Sequence, residues 1–313
     1  MREVKLVKAI FIVFTILSVS ISYAIKTSER FKTTLKEGLY GILSYDNDIL
    51  SEELIFIPVF IVDEKGYLVD PYLKGVSFLN NKYKRNHWKI VRGKKPLGKL
   101  YNVVFKSYSY KIDDYLSELK SREAYDKLKA CLSDSIRGYI RKLNLLEKNN
   151  DIKGVEWIIP INSAATFELP KIISGTKISN NVSAFLQKEI SNLNVRSVNL
   201  YENYLSLYKL KLGNQEKLVF CYGDVLKQCY LKDEADKTII KITEREPIPL
   251  EGNIYPIALV DLDNDGINEF IFEERLYIST AFSILNYKIY KYNPYTKSFR
   301  LIYRTKCIPE WSP

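Results

Sequence analysis

Residues 255 to 272 read Tyr255-Pro256-Ile257-Ala258-Leu259-Val260-Asp261-Leu262-Asp263-Asn264-Asp265-Gly266-Ile267-Asn268-Glu269-Phe270-Ile271-Phe272. Two short apolar runs flank an acidic turn, which is the pattern of two strands joined by a loop. Within the turn the spacing suits a hard cation. Asp261, Asp263 and Asp265 stand at loop positions 1, 3 and 5, Gly266 at position 6 permits a sharp turn, Ile267 at position 7 offers its backbone carbonyl, and Glu269 at position 9 closes the ring. Four carboxylates and one carbonyl make five oxygens. Calcium takes about 6 to 8, so a bidentate carboxylate or water is expected to complete the shell, whereas magnesium, which keeps its waters, fits less well. Without a cation the carboxylates would repel one another. Position 12 is Phe272, not a bidentate Glu, so the loop is not an EF-hand.

Downstream come Glu273-Glu274-Arg275-Leu276-Tyr277, then Tyr287-Lys288-Ile289-Tyr290-Lys291-Tyr292 and a turn at Asn293-Pro294-Tyr295. Strand, acidic loop, strand and this continuation resemble, over roughly residues 255 to 303, the calcium loop of FG-GAP and VCBS-type repeats in extracellular β-propeller proteins and single-copy versions in bacterial exported proteins. The resemblance implies a bound calcium ion in an exported, β-rich domain. Family loops usually carry Gly where Asn264 stands and Asp where Glu269 stands. One copy is present, so a propeller of several blades is not expected.

The address is read from the N-terminus. Arg2, Lys5 and Lys8 form a positive region, Ala9 to Val19 an apolar core, and Ser22-Tyr23-Ala24 a small-x-small cleavage site, so residues 1–24 are expected to be a signal peptide. The alternative is an uncleaved anchor at 9–25, whose 17 residues fall short of the roughly 20 that a span needs. Removing residues 1–24 lowers the net charge from +10 to +8. A basic exported protein points towards an anionic envelope component rather than nucleic acid, with membrane contact only if the N-terminal helix is kept. The four cysteines, Cys131, Cys221, Cys229 and Cys307, suit an oxidising compartment, and three connectivities are open. Cys221 and Cys229 face each other if a five-residue turn joins their strands, and do not if the turn is a tight Gly223-Asp224; the first case leaves Cys131 with Cys307. None has C-x-x-C spacing, which argues against a cysteine metal site.

The expected fold is α+β. Residues 25–154 form an N-terminal α/β region: a strand from Leu54 to Val62 with Pro58 at an edge or bulge, a turn into Tyr67-Leu68-Val69, a basic stretch from Asn80 to Lys99 that puts Trp88 and Ile90 on one strand face, and a long amphipathic helix from about Asp114 to Asn149. That helix rests on the spacing of Tyr125, Leu128, Leu132, Ile136, Tyr139, Leu143 and Leu146, with a break at Gly138. Residues 155–313 form an antiparallel β-rich domain that carries the calcium loop at 261–269, with a shorter helix near Asn180 to Leu193.

Nucleophilic catalysis is not expected. His87 is the one histidine, and P-loop, dinucleotide, G-x-S-x-G and H-E-x-x-H patterns are missing. The leading function is an exported calcium-binding protein with a non-catalytic binding or envelope-associated role. The alternatives are a periplasmic or extracellular hydrolase of carbohydrate or envelope polymer, with paired carboxylates, and a membrane-anchored structural protein.

Overall fold

The computed structural model describes residues 31–45, 54–109, 122–145, 155–173, 180–191, 205–212, 215–223, 228–232, 238–244, 250, 252–279 and 282–311. The expected signal peptide or anchor, and both ends of the expected long helix, lie outside them.

Strands β1 (Gly38–Tyr45), β2 (Leu54–Val62), β4 (His87–Arg92), β5 (Lys95–Tyr108), β6 (Ser135–Leu145) and β7 (Glu156–Pro160) pair antiparallel in the order β1-β7-β4-β5-β6-β2. Because β2 also pairs with β1, the sheet closes into a six-stranded barrel, with β3 (Leu68–Val69) added beside β2. Closure removes the free sheet edges that invite aggregation. Phe56, Trp88 and Phe105 pack ring against ring inside it. Pro58, which cannot donate to a ladder, sits where the β1–β2 register shifts, opposite Gly41. A Cβ on Gly41 would lie 2.2 Å from the Ile57 carbonyl oxygen, so only glycine fits there.

This barrel corrects the α+β expectation, since the chain is mostly β and its N-terminal half is not an α/β region. The long amphipathic helix is not formed either. Its middle divides into α2 (Arg122–Cys131) and the strand β6, which pairs with β5 along ten residues. The three-and-four spacing is genuine in α2, where Leu128 is buried. Beyond it, Ile136 and Ile140 flank Gly138, a β-branched pattern that favours strand over helix. A Cβ on Gly138 would lie 2.6 Å from a Val103 methyl and 2.8 Å from the Phe105 ring. The residue read as a helix break thus lets β5 and β6 close on the aromatic core. The barrel also runs past residue 154, because β7 bridges β1 and β4.

A second sheet holds β13 (Gly252–Val260), β14 (Glu269–Tyr277), β15 (Phe282–Asn293), β16 (Ser298–Arg304) and β17 (Ile308–Trp311), the last two both pairing with β15. A third runs β12-β11-β10-β9-β8, made of β8 (Lys171–Ile172), β9 (Leu205–Leu212), β10 (Gln215–Tyr222), β11 (Gln228–Lys232) and β12 (Ile239–Lys241). The second sheet is the middle layer. Val260, Ile271, Tyr287 and Ile289 share a core with the barrel, whereas Leu259, Phe270, Phe272 and Tyr290 pack with Val219, Cys221 and Leu231 of the third sheet. Burial on both faces explains why β14 and β15 are continuous buried runs rather than an alternation. It also brings Glu274 and Lys288 inside, paired at 2.8 Å, since a buried charge persists only with a partner. Tyr303 joins barrel to middle sheet by donating to the Val59 carbonyl at 2.8 Å and stacking its ring edge on Phe60.

Three helices complete the described residues. α1 (Pro71–Tyr83) starts from Asp70, whose carboxylate accepts the Tyr72 amide, with proline in the first turn. α3 (Asn180–Ser191) lays Val182 and Leu186 on Phe220 and Tyr230. No helix among them is long and apolar enough to cross a membrane.

Both disulfides form. Cys221 and Cys229 are direct cross-strand partners with Cα atoms 4.0 Å apart, which selects the five-residue turn over the tight one. Cys131, at the end of α2, is bonded to Cys307. Two disulfides in one chain point to an oxidising environment.

Candidate metal centre

The β13–β14 connection carries the expected loop. Asn264 and Gly266 take left-handed backbone angles, with φ of 60° and 82°. Glycine does so freely and asparagine tolerates it, so the loop needs no strained residue to turn twice within three positions. The turn is held from within: Asp261 accepts the Asp265 amide at 3.1 Å and the Gly266 amide at 2.9 Å, and Asp265 accepts the Ile267 amide at 2.8 Å. One oxygen from each of Asp261, Asp263 and Asp265 falls within 4.8 Å of the others.

Glu269, the first residue of β14, is wholly buried and accepts the Leu262 amide through Oε2 at 2.7 Å. It stands outside the close triad. Ile267 lies in the loop with its amide turned to Asp265. The group that links Glu269 to the aspartates is a lysine that the sequence reading passed over. Lys291 of β15 reaches Asp263 at 2.5 Å, Asp265 at 2.7 Å and Glu269 at 3.2 Å. Its position follows from strand register: Phe270 faces Tyr290, so Glu269 and Lys291 are the next cross-strand neighbours. The signal was available in the Tyr290-Lys291-Tyr292 segment, once that segment is read as the strand beside the loop.

Two carboxylate oxygens remain unsatisfied. Asp263 Oδ1 and Glu269 Oε1 are buried without a hydrogen bond, and Lys291 meets the latter as an ion pair only. Burial pushes the Glu269 carboxyl up to about 7, against the Leu262 amide and Lys291, which pull it down. Burial also works against the charge on Lys291, but hydrogen bonds to Asp263 and Asp265 override it and raise its pKa. Asp265, slightly raised by its modest burial, is lowered on balance by Lys291 and by the Ile267 amide. The side-chain donors are all carboxylate oxygens, the chemistry of a hard cation such as calcium. With one ammonium against four carboxylates, a divalent ion would bring the charge closer to balance.

The loop is also stapled to the segment that enters the barrel. The Leu262 carbonyl accepts the Thr34 amide at 2.8 Å and the Thr33 hydroxyl, and the Phe31 ring lies 5.6 Å from Lys291 Nζ.

The other prominent acidic pair is Glu273 and Glu310. Arg275 lies between them, 3.2 Å from the first and 3.4 Å from the second. Tyr255 donates to Glu273. Carboxylates held in this way are poorly placed for acid–base work on a glycoside, which needs one of them free to carry a proton. His87 is exposed and packs edge-to-face on Tyr101. Of the basic stretch, Lys82 pairs with Glu37 and Glu64, Lys89 donates to the Ser163 carbonyl and Arg92 pairs with Glu156.

No family model matches the chain, and no curated protein or solved structure is significantly similar to it.

Proposed function

We propose that this is an exported calcium-binding protein of the single FG-GAP/VCBS-like type, in which calcium is structural and the role is non-catalytic binding or envelope association. The observation that carries the reading is the convergence of Asp261, Asp263 and Asp265 within 4.8 Å, beside Asp263 Oδ1 and the wholly buried Glu269 Oε1, neither of which has a hydrogen bond. A buried carboxylate oxygen without a hydrogen bond is costly, and a cation would satisfy Asp263 Oδ1 and add to the ion pair that Glu269 Oε1 makes with Lys291. Asp261, Asp263, Asp265 and Glu269 would hold the ion through side chains and Ile267 through its carbonyl. Bound there, the ion would close the β13–β14 turn onto the first residue of β14, a turn that Lys291 holds to β15 and the Leu262 carbonyl holds to the Thr33–Thr34 segment, so its effect would be on stability rather than on a reaction.

Export is supported by the two disulfides and by the charge and apolar pattern of residues 1–24. Cleavage after Ala24 is expected, and the intact mass of exported protein tests it; a mass that retains residues 1–24 supports the anchored alternative. Isothermal titration tests the site. Calcium should bind one ion per chain, magnesium should bind weakly, and Asp263→Ala should abolish binding. A titration with no heat in the wild type overturns the reading.

A further inference from the structure

Barrel register brings together charges that lie far apart in the sequence. β4, β5 and β6 carry eight Lys or Arg and no Asp or Glu. Lys89 faces Lys99, and Lys106 faces Arg137, directly across the ladders. Opposed like charges cost a sheet stability. In the ring of strands β4 stands opposite β2, and β2 is the strand joined to the middle sheet through Tyr303. On the outer side of β4, β5 and β6, Lys89 is held by the Ser163 carbonyl and Arg137 is buried, which leaves Lys99, Lys106, Arg141 and Lys142 open to solvent.

Aromatic rings hold the cations on this face. His87 packs on Tyr101 with ring centroids 4.8 Å apart, and Lys142 of β6 places its ammonium 5.8 Å from the centre of the same ring. Lys106 lies 4.5 Å from the centre of Tyr139. These rings serve as supports for ammonium groups, which leaves them poorly placed as stacking platforms for bases or sugars. Lys99, Lys106, Arg141 and Lys142 are exposed. Acidic partners stand at the rim: Glu156 on β7 takes Arg92, and Asp134, just before β6, accepts from Ser107.

We propose that the outer face of β4, β5 and β6 docks on an anionic phospholipid surface, with its lysines meeting headgroup phosphates. Three features favour a membrane over other polyanions. The face is the outside of a sheet rather than a groove for a threaded chain. Its recognition elements are mostly lysines, compact point charges that suit phosphate without demanding a fixed geometry. The same chain also carries the apolar run at 9–25, which, kept as an anchor, would hold this face beside a membrane. The inference stands independently of the calcium loop.

Vesicle flotation with the full chain tests it, using phosphatidylcholine alone and phosphatidylcholine with about a quarter phosphatidylglycerol. The measured quantity is the change, between variant and wild type, in the ratio of binding to anionic over neutral vesicles, from which the contributions of residues 9–25 and of Arg2, Lys5 and Lys8 cancel. Each cation near an anionic surface is worth about fivefold in binding. Lys99→Glu with Lys142→Glu should therefore lower the ratio more than about 25-fold. Lys188→Glu with Lys209→Glu, an equal charge change on α3 and β9, should lower it less than about threefold. If the reversal pair fails to fold, Lys99→Gln with Lys142→Gln replaces it, with a loss of more than about fivefold expected. Equal losses in the face and control pairs, no preference of the wild type for anionic vesicles, or release from vesicles by inorganic polyphosphate at matched phosphate concentration would each overturn the proposal.

Discussion

Lys291 is the residue on which the electrostatics of the loop turn. Replacing it with methionine removes the charge that separates Asp263, Asp265 and Glu269, so those carboxylates repel one another in the absence of metal. Lys291→Met should melt several degrees lower than wild type in chelator, yet gain more stability from calcium than wild type does. Melting curves with and without calcium check both parts, and an unchanged curve in chelator would contradict the first. A second residue, Asp70, links α1 to the C-terminal strands by accepting the Tyr72 amide at 2.9 Å and the Lys306 amide at 2.7 Å. Burial nevertheless pushes its carboxyl up to about 6. The unfolded value is about 3.9, so between about pH 4 and 6 the folded chain holds a proton that the unfolded chain has lost. Stability from this group is therefore full below about pH 4 and falls as pH rises through about 6. Urea unfolding should show wild type losing on the order of 2 to 3 kcal/mol relative to Asp70→Asn over that window; parallel profiles would refute the shift. At this scale the sequence was informative about the acidic cluster, because Asp261, Asp263 and Asp265 sit within five residues. It was uninformative about Lys291, which arrives from another strand and is visible only once register is known.

Among the elements, β6 gives the sharpest contrast between two readings of one segment. Spacing by three and four suits a helix, but the same residues serve a strand that has β5 on one side and β2 on the other. Sequence spacing carries no information about a partner strand, and the ladder to β5 outweighed local periodicity. Gly138 distinguishes the two states experimentally. In a helix Gly138→Ala would stabilise by about 1 kcal/mol. In the barrel the new methyl meets Val103 and Phe105, and overpacking of this kind costs about 1 to 3 kcal/mol. Chemical denaturation of Gly138→Ala is expected to show the loss, and a gain would return the segment to a helix. The β10–β11 hairpin was more legible, since Cys221 and Cys229 bracket a turn and only one turn length places them face to face. The β13–β14 hairpin was legible for a related reason, its apolar runs and acidic loop being contiguous. Barrel closure was not, because β1 and β7 pair across more than a hundred residues of intervening chain.

In the whole molecule the middle sheet is the common wall of two cores, and long-range links hold the layers together. The Cys131–Cys307 bond closes a loop with a sequence separation of 176, against 8 for Cys221–Cys229. Chain entropy alone puts the first at about 5 kcal/mol and the second at about 2.5. Cys131→Ser with Cys307→Ser should therefore destabilise more than Cys221→Ser with Cys229→Ser, and equilibrium unfolding of the two double variants decides it; the reverse order would mean that the short bridge carries the third sheet. The acidic β13–β14 loop is a further link of this kind, held to β15 within the middle sheet by Lys291 and to the Thr33–Thr34 segment that enters the barrel by the Leu262 carbonyl. Calcium at about 100 times its dissociation constant adds about 2.7 kcal/mol to such a fold, which raises the melting temperature of a chain this size by roughly 4 °C. The direct measurement is the melting temperature of the wild type in calcium, in magnesium and in chelator, beside Asp263→Ala and Asn268→Ala. The expected result is a rise of that size in calcium for the wild type and for Asn268→Ala, little or none in magnesium, and none for Asp263→Ala; a wild type that melts at the same temperature in all three conditions would contradict a structural calcium ion in this loop.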